Sequence, residues 1–141
     1  MSAMSPLDTA PVVRHNPSTM WDSTTNGHSQ ISVAQTRQLA YLSGQIASPL
    51  DGSAVPETIG GQAELIADSL KAALQELGAS TDDIVMLRIY VVDGTTERFL
   101  EAYAPIQAML AGTMPSLTVL GVQSLFTPML QLEVEMVVRV P

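Results

Sequence analysis

Nine consecutive residues, Ile84-Val85-Met86-Leu87-Arg88-Ile89-Tyr90-Val91-Val92, are nearly all apolar and rich in branched side chains, with one guanidinium among them. The run lacks the alternation of a strand with one wet face, so it predicts a central strand covered on both sides. That requirement points to a layered fold, with helices over one face of a sheet and another cover over the second face. The end of the chain behaves differently. Leu130 to Val138 reads Leu-Gln-Leu-Glu-Val-Glu-Met-Val-Val, and a period of two places Gln131, Glu133 and Glu135 on one face and Leu130, Leu132, Val134 and Met136 on the other. The carboxylate face has two readings, a solvated outer surface and a site.

The remaining elements follow from periodicity and turn chemistry. Residues 1–30 are rich in Ser, Thr, Asn and Pro, with β character only at Val12-Val13. They read as a loose start holding at most one short edge strand, and the chain divides into a loose segment 1–26 and one domain 27–141. Ile31 to Gln35 alternates, Thr36-Arg37-Gln38 offers a turn, and Leu39 to Leu42 runs on into Ser43-Gly44-Gln45, a pattern read as a β-hairpin. Ile59, Ala63, Ile66, Leu70, Ala73, Leu74 and Leu77 recur at spacings of three and four before Gly78, which marks a helix with a left-handed glycine at its end. A second helix is expected along Phe99, Tyr103, Ile106 and Leu110, capped near Asp93-Gly94-Thr95-Thr96, bent at Pro105 and ended by Gly112. With a strand from Leu117 to Val122 the order becomes β-β-α-β-α-β-β, an α+β fold with a mixed sheet and two helices on one face.

The second sheet face then needs a cover from outside the chain. Hydrophobic residues make up 46% of the sequence and charged ones 14%, so apolar surface is expected to be buried against other copies, as in obligate homo-oligomers. Six Lys and Arg are scattered against fourteen Asp and Glu, which leaves no basic stripe for phosphates and argues against nucleic acid. No apolar run approaches the roughly 20 residues of a membrane span, and the first residues do not read as a signal peptide, so the expected address is the cytoplasm. With no cysteine and only His15 and His28, neither in an i, i+4 pair, no metal site is expected. Gly60-Gly61 lacks the frame of a nucleotide fingerprint, and no cofactor is expected. Arg88 is expected to pair with a carboxylate, Arg98 to lie on a solvated helix face, and Glu135 to be a surface or salt-bridging residue.

Three pieces at matching distances carry a resemblance: Tyr41-Leu42-Ser43-Gly44-Gln45-Ile46, then Leu77-Gly78-Ala79 before Asp82-Asp83-Ile84-Val85, and Leu132-Glu133-Val134-Glu135-Met136. From about Gly27 to Val138 the chain resembles the YjgF/Rid family, the reactive-intermediate deaminases. The resemblance implies a chorismate-mutase-like fold assembled as a homotrimer, with a central barrel of sheets, helices outside, and small-molecule sites in the clefts between subunits. In deaminating members an Arg soon after a Pro clamps the substrate carboxylate, a Glu of the last strand positions the hydrolytic water, and backbone at the Ser-Gly-Gln turn holds the ligand.

Carried over by position, Glu133 matches the water-positioning Glu, Gly44 the glycine of the turn, and Ser29-Gln30 a Ser-Gln pair of the first strand. His28 stands where a Tyr is usual. Ser43, His28, Leu117 and Thr118 join Gly44 as candidate ligand-binding residues. In Met114-Pro115-Ser116-Leu117-Thr118 the clamp position holds Leu117, and Leu cannot make the charge-assisted bonds of a guanidinium. Two functions follow: hydrolysis of an imine, enamine or related small metabolite with Glu133 holding water, or a trimer that binds a metabolite or protein partner without catalysis. RNA cleavage, sometimes attached to the family, fits poorly with a net charge of -8.

Overall fold

In chain order the elements are β1 (Val12–His15), β2 (Ile31–Ala34), β3 (Leu39–Gln45), α1 (Ile59–Glu76), β4 (Ile84–Val92), α2 (Thr96–Leu110), β5 (Ser116–Val122) and β6 (Leu132–Arg139). The computed structural model describes residues 10–36 and 38–141. Both helices start where their sequences provide caps. The Thr58 hydroxyl accepts from the Gly61 amide at 3.0 Å, and the Thr95 hydroxyl accepts from the Arg98 amide at 3.2 Å. Gly78 follows α1 at φ +62°, the left-handed position that glycine occupies without a steric cost. At the end of α2 that conformation begins one residue early, at Ala111 with φ +49°, and the helix runs through Pro105 to Leu110.

The main sheet has the order β3-β6-β4-β5, with β4 antiparallel to β6 and parallel to β5. The apolar run therefore lies inside a mixed sheet, as its composition requires. Register sorts its side chains. Leu87, Ile89 and Val91 stand opposite Met136, Val134 and Leu132, and all six are buried beneath Ile66, Leu70, Ile106 and Leu110 of the two helices. The other face carries Met86, Arg88 and Tyr90 of β4 beside Glu133 and Glu135 of β6, with Leu39 and Tyr41 at one edge and Leu120 at the other. Tyr41 is 74% exposed, and Leu39 and Leu120 are exposed as well.

The expected hairpin does not form. β2 pairs with β1 in a separate two-stranded antiparallel sheet, from Val12↔Ala34 to His15↔Ile31, while β3 pairs with the distant β6. Thr36-Arg37-Gln38 has no Gly, Asn or Asp to take the left-handed turn positions that tight hairpins use. Ala40 and Leu42 instead find Val138 and Met136 on the core side of β6.

Residues 10–26, read from sequence as part of a loose start, contain β1 with Val12 and Val13 buried, and Ser23 is buried too. Arg14 fastens the small sheet to the large one, donating through Nη2 to the Ile84 carbonyl at 2.6 Å and through Nη1 to Ser32 Oγ at 2.9 Å. Among the described residues no helix is long and apolar enough to cross a membrane. Val13→Asp should lower stability by about 2 kcal/mol or more, from lost burial and an unpaired carboxylate. Urea denaturation checks this; an unchanged midpoint would mean that β1 contributes nothing to the fold.

Candidate functional site

Glu133 and Gly44, far apart in sequence, meet through an irregularity in the ladder. β3 follows β6 in register as far as Leu42↔Met136, then shifts so that Gln45 faces Val134. The displaced backbone at Gly44 runs under the Glu133 side chain, where an added β-carbon would sit 2.5 Å from Cδ and 2.8 Å from Oε1 of the carboxylate. A β-carbon there would displace the end of the Glu133 side chain, so the glycine is what lets the carboxylate lie directly over the turn. Ser43 lies beside it in β3, its carbonyl accepting from the Gln45 side-chain amide at 2.9 Å.

The second carboxylate has a separate task. Glu135 stands opposite Arg88 and forms an ion pair with it at 3.2 Å, while the Tyr90 hydroxyl donates to the same Oε1. The phenol first, and then Arg88, hold the Glu135 carboxyl below its ordinary value against the opposing effect of burial. The same bond to Glu135 is the main reason that the Tyr90 phenol is raised. Arg88 thus pairs with a carboxylate as expected. Because Tyr90 and Arg88 both turn to Glu135, Glu133 has no hydrogen-bond partner among the described residues. Thr118 is exposed on this same face, opposite Arg88.

His28 and Leu117 lie on the other side of the sheet. Leu117 pairs with Leu87 and so points toward the helix layer. With Val119, Phe99, Tyr103, His28 and Gln107 it lines a groove of about 280 Å³ between β5 and α2. The segment carrying His28 is held on α2 by the Tyr103 hydroxyl, which donates to the Gly27 carbonyl at 3.1 Å. A left-handed φ of +82° and the Gln107 side chain, 2.6 Å from where a β-carbon would stand, require glycine at position 27. Ser23 Oγ donates to the His28 carbonyl at 2.9 Å. The His28 ring meets the edge of Trp21 at 5.6 Å between centroids, and its Nδ1 is buried without a hydrogen-bond partner among the described residues. Ser29 also docks on β5, its amide donating to the Pro115 carbonyl at 3.1 Å.

One chain therefore brings Glu133, Gly44 and Ser43 together, and separately His28 and Leu117, on opposite faces of one sheet. Arg98 departs from its expected solvated position. Its Nε donates to the Val92 carbonyl at 3.1 Å and its Nη2 to Gln131 Oε1 at 3.2 Å, so it closes the end of β4. Sequence reasoning passed over Tyr90 and Tyr103. Tyr90 was legible as the residue two after Arg88, hence on the same strand face. Tyr103 was read as a core residue, and nothing local could reveal that its hydroxyl reaches Gly27.

An α+β fold with a two-helix layer, and a Glu without a hydrogen-bond partner among the described residues over a glycine near the end of a strand, define the class of protein. The family model described as Endoribonuclease L-PSP matches residues 22–140, and the chain belongs to that family, the YjgF/Rid proteins. A Rid-family protein of unknown function, YyfB from Yersinia pestis, is 29% identical over 92% of this chain and 98% of its own, with a TM-score of 0.84. Yeast Mmf1 is 26% identical over 81% of this chain and 87% of its own, with a TM-score of 0.64. RidA from an Antarctic Psychrobacter, at 22% identity, 75% and 84% coverage and a TM-score of 0.65, shares the fold. No curated protein matches the sequence.

Two measurements probe the site. Gly44→Ala should displace the Glu133 side chain, shifting the Glu133 side-chain resonances in carbon-detected NMR while the helix signals stay in place. In the same spectra Glu135 should titrate below the ordinary 4.5, and Tyr90→Phe should move it upward. Its folded value is depressed, so its stabilising contribution is present above the ordinary carboxylate range and is lost as pH falls through the folded value.

Proposed function

We propose that this protein is a Rid-type trimer with a small-molecule site in each intersubunit cleft, where Glu133 positions water for hydrolysis of a C=N bond. The observation that carries this reading is the Glu133 carboxylate, without a hydrogen-bond partner among the described residues and lying directly over Gly44. Glu135, on the same face, is by contrast tied up by a phenol and a guanidinium. The open sheet face supports assembly, since Leu39, Tyr41 and Leu120 are exposed on it together with Met86 and Val137, and exposed apolar patches of this kind mark interaction surfaces. Assembly around that face would cover the second side of β4. It would also let the Glu133 half of one copy meet the His28–Leu117 groove of another, which one chain keeps apart.

The chemistry requires only Glu133 and water. Glu133 accepts a proton as the water oxygen bonds to the carbon of the protonated imine, giving a neutral carbinolamine. The proton then passes from Glu133 to nitrogen, and Glu133 takes the hydroxyl proton as the C–N bond breaks, leaving a carbonyl product and ammonia, to which that proton is finally released. Gly44 and Ser43 present backbone to the ligand, and Thr118 stands near the seam. The family description names an endoribonuclease, but the net charge of -8 offers nothing to hold an RNA backbone. One feature favours binding without catalysis, namely Leu117 at the position of the carboxylate clamp.

Sedimentation should give three times the 15.0 kDa chain mass. Imines generated in place by an amino acid or amine oxidase, with free imine trapped by semicarbazide, should disappear faster with the protein present. Glu133→Gln should lower that acceleration by about a hundredfold or more. Turnover unchanged in Glu133→Gln removes the catalytic reading, and a saturable ligand without turnover supports the binding one.

A further inference from the structure

The groove between β5 and α2 has a lining that selects by charge. Thr25, Asn26, His28 and Gln107 supply its polar atoms, and Phe99, Leu100, Tyr103, Leu117 and Val119 its apolar wall. No Lys, Arg, Asp or Glu is among them. Among the described residues the arginines are engaged elsewhere: Arg98, next to Phe99 in sequence, bonds to Val92 and Gln131. Arg88 pairs with Glu135 on the opposite face. Arg14 is held by Ile84 and Ser32, and Arg139 by Asp83 and Gln35.

From this lining we infer that the site takes an imine or carbonyl compound that carries no carboxylate, with an apolar body seated between Phe99 and Leu117. The inference rests on the composite cleft proposed above and names its ligand class. A carboxylate placed in this groove would lose hydration without gaining a counter-charge, a costly burial. In the assembled cleft it would also face Glu133, whose charge repels it and attracts a protonated imine. Both effects act in the same direction. The carboxamides of Asn26 and Gln107 offer neutral hydrogen bonding to a carbonyl oxygen or imine nitrogen, and a wall of aromatic and branched side chains suits an aromatic or branched body. Such imines arise when amines, rather than amino acids, are oxidised.

Trp21 is the chain's one tryptophan and touches His28 at the groove edge, so its fluorescence reports occupancy. The intact protein is titrated with benzamide and with benzoate, which share a ring and differ in charge. Benzamide should bind about tenfold or more tightly than benzoate, and Leu117→Arg should reverse that order. Benzoate binding as well as benzamide in the wild type, or neither probe binding, overturns the inference. The wild-type comparison decides alone should Leu117→Arg fail to fold. Turnover separates this inference from the hydrolytic reading beneath it. Benzamide selectivity without any imine hydrolysis leaves the ligand class standing and removes catalysis. Glu133-dependent turnover confined to 2-imino acids keeps catalysis and overturns the ligand class.

Discussion

The pairing of β4 with β6 is the constraint on which the rest of the molecule depends. Leu87, Ile89 and Val91 interleave with Met136, Val134 and Leu132 beneath two helices, and the strand period of two leaves no freedom in what the alternate residues do. Arg88, Tyr90, Glu133 and Glu135 must all reach the opposite face. A slip of one residue would bury two carboxylates in the core and lift the apolar ladder into water, so hydrophobic register places the charged groups without any contribution from their own bonds.

The same register gives the two carboxylates different characters. Glu135 lands opposite Arg88 and within reach of the Tyr90 hydroxyl, and those partners hold it ionised. Glu133 lands two residues earlier, opposite Tyr90, where the bulge in β3 brings Gly44 beneath it. Glu133 has no hydrogen-bond partner among the described residues and is only partly covered, which leaves its carboxylate open to water. The paired group is better suited to a sheet face that the proposed assembly would cover, because its charge is already compensated before burial.

Much of this was legible from residues alone. Helix faces, caps, the inner position of β4 and the sorting of β6 follow from spacing and composition, since each depends on neighbours within a few residues. The hairpin reading failed because β2 and β3 satisfy their backbones with strands distant in sequence, β1 and β6. No pattern within Ile31 to Gln45 names those partners. Arg98 was misread for a similar reason, as its bond to Gln131 spans thirty-three positions.

The candidate site divides along the same line. The sequence by itself determined that Glu133 shares a face with Glu135, that position 44 is glycine, and that position 117 lacks a cation, because these are matters of identity and of a two-residue period. Only the tertiary structure decided that Gly44 lies under Glu133, that Glu135 is claimed by Tyr90 and Arg88, and that Leu117 and His28 share an uncharged groove on the far side of the sheet. Those facts rest on a ladder shift and on packing between distant segments, where close approach and the direction of each side chain are set by the whole core.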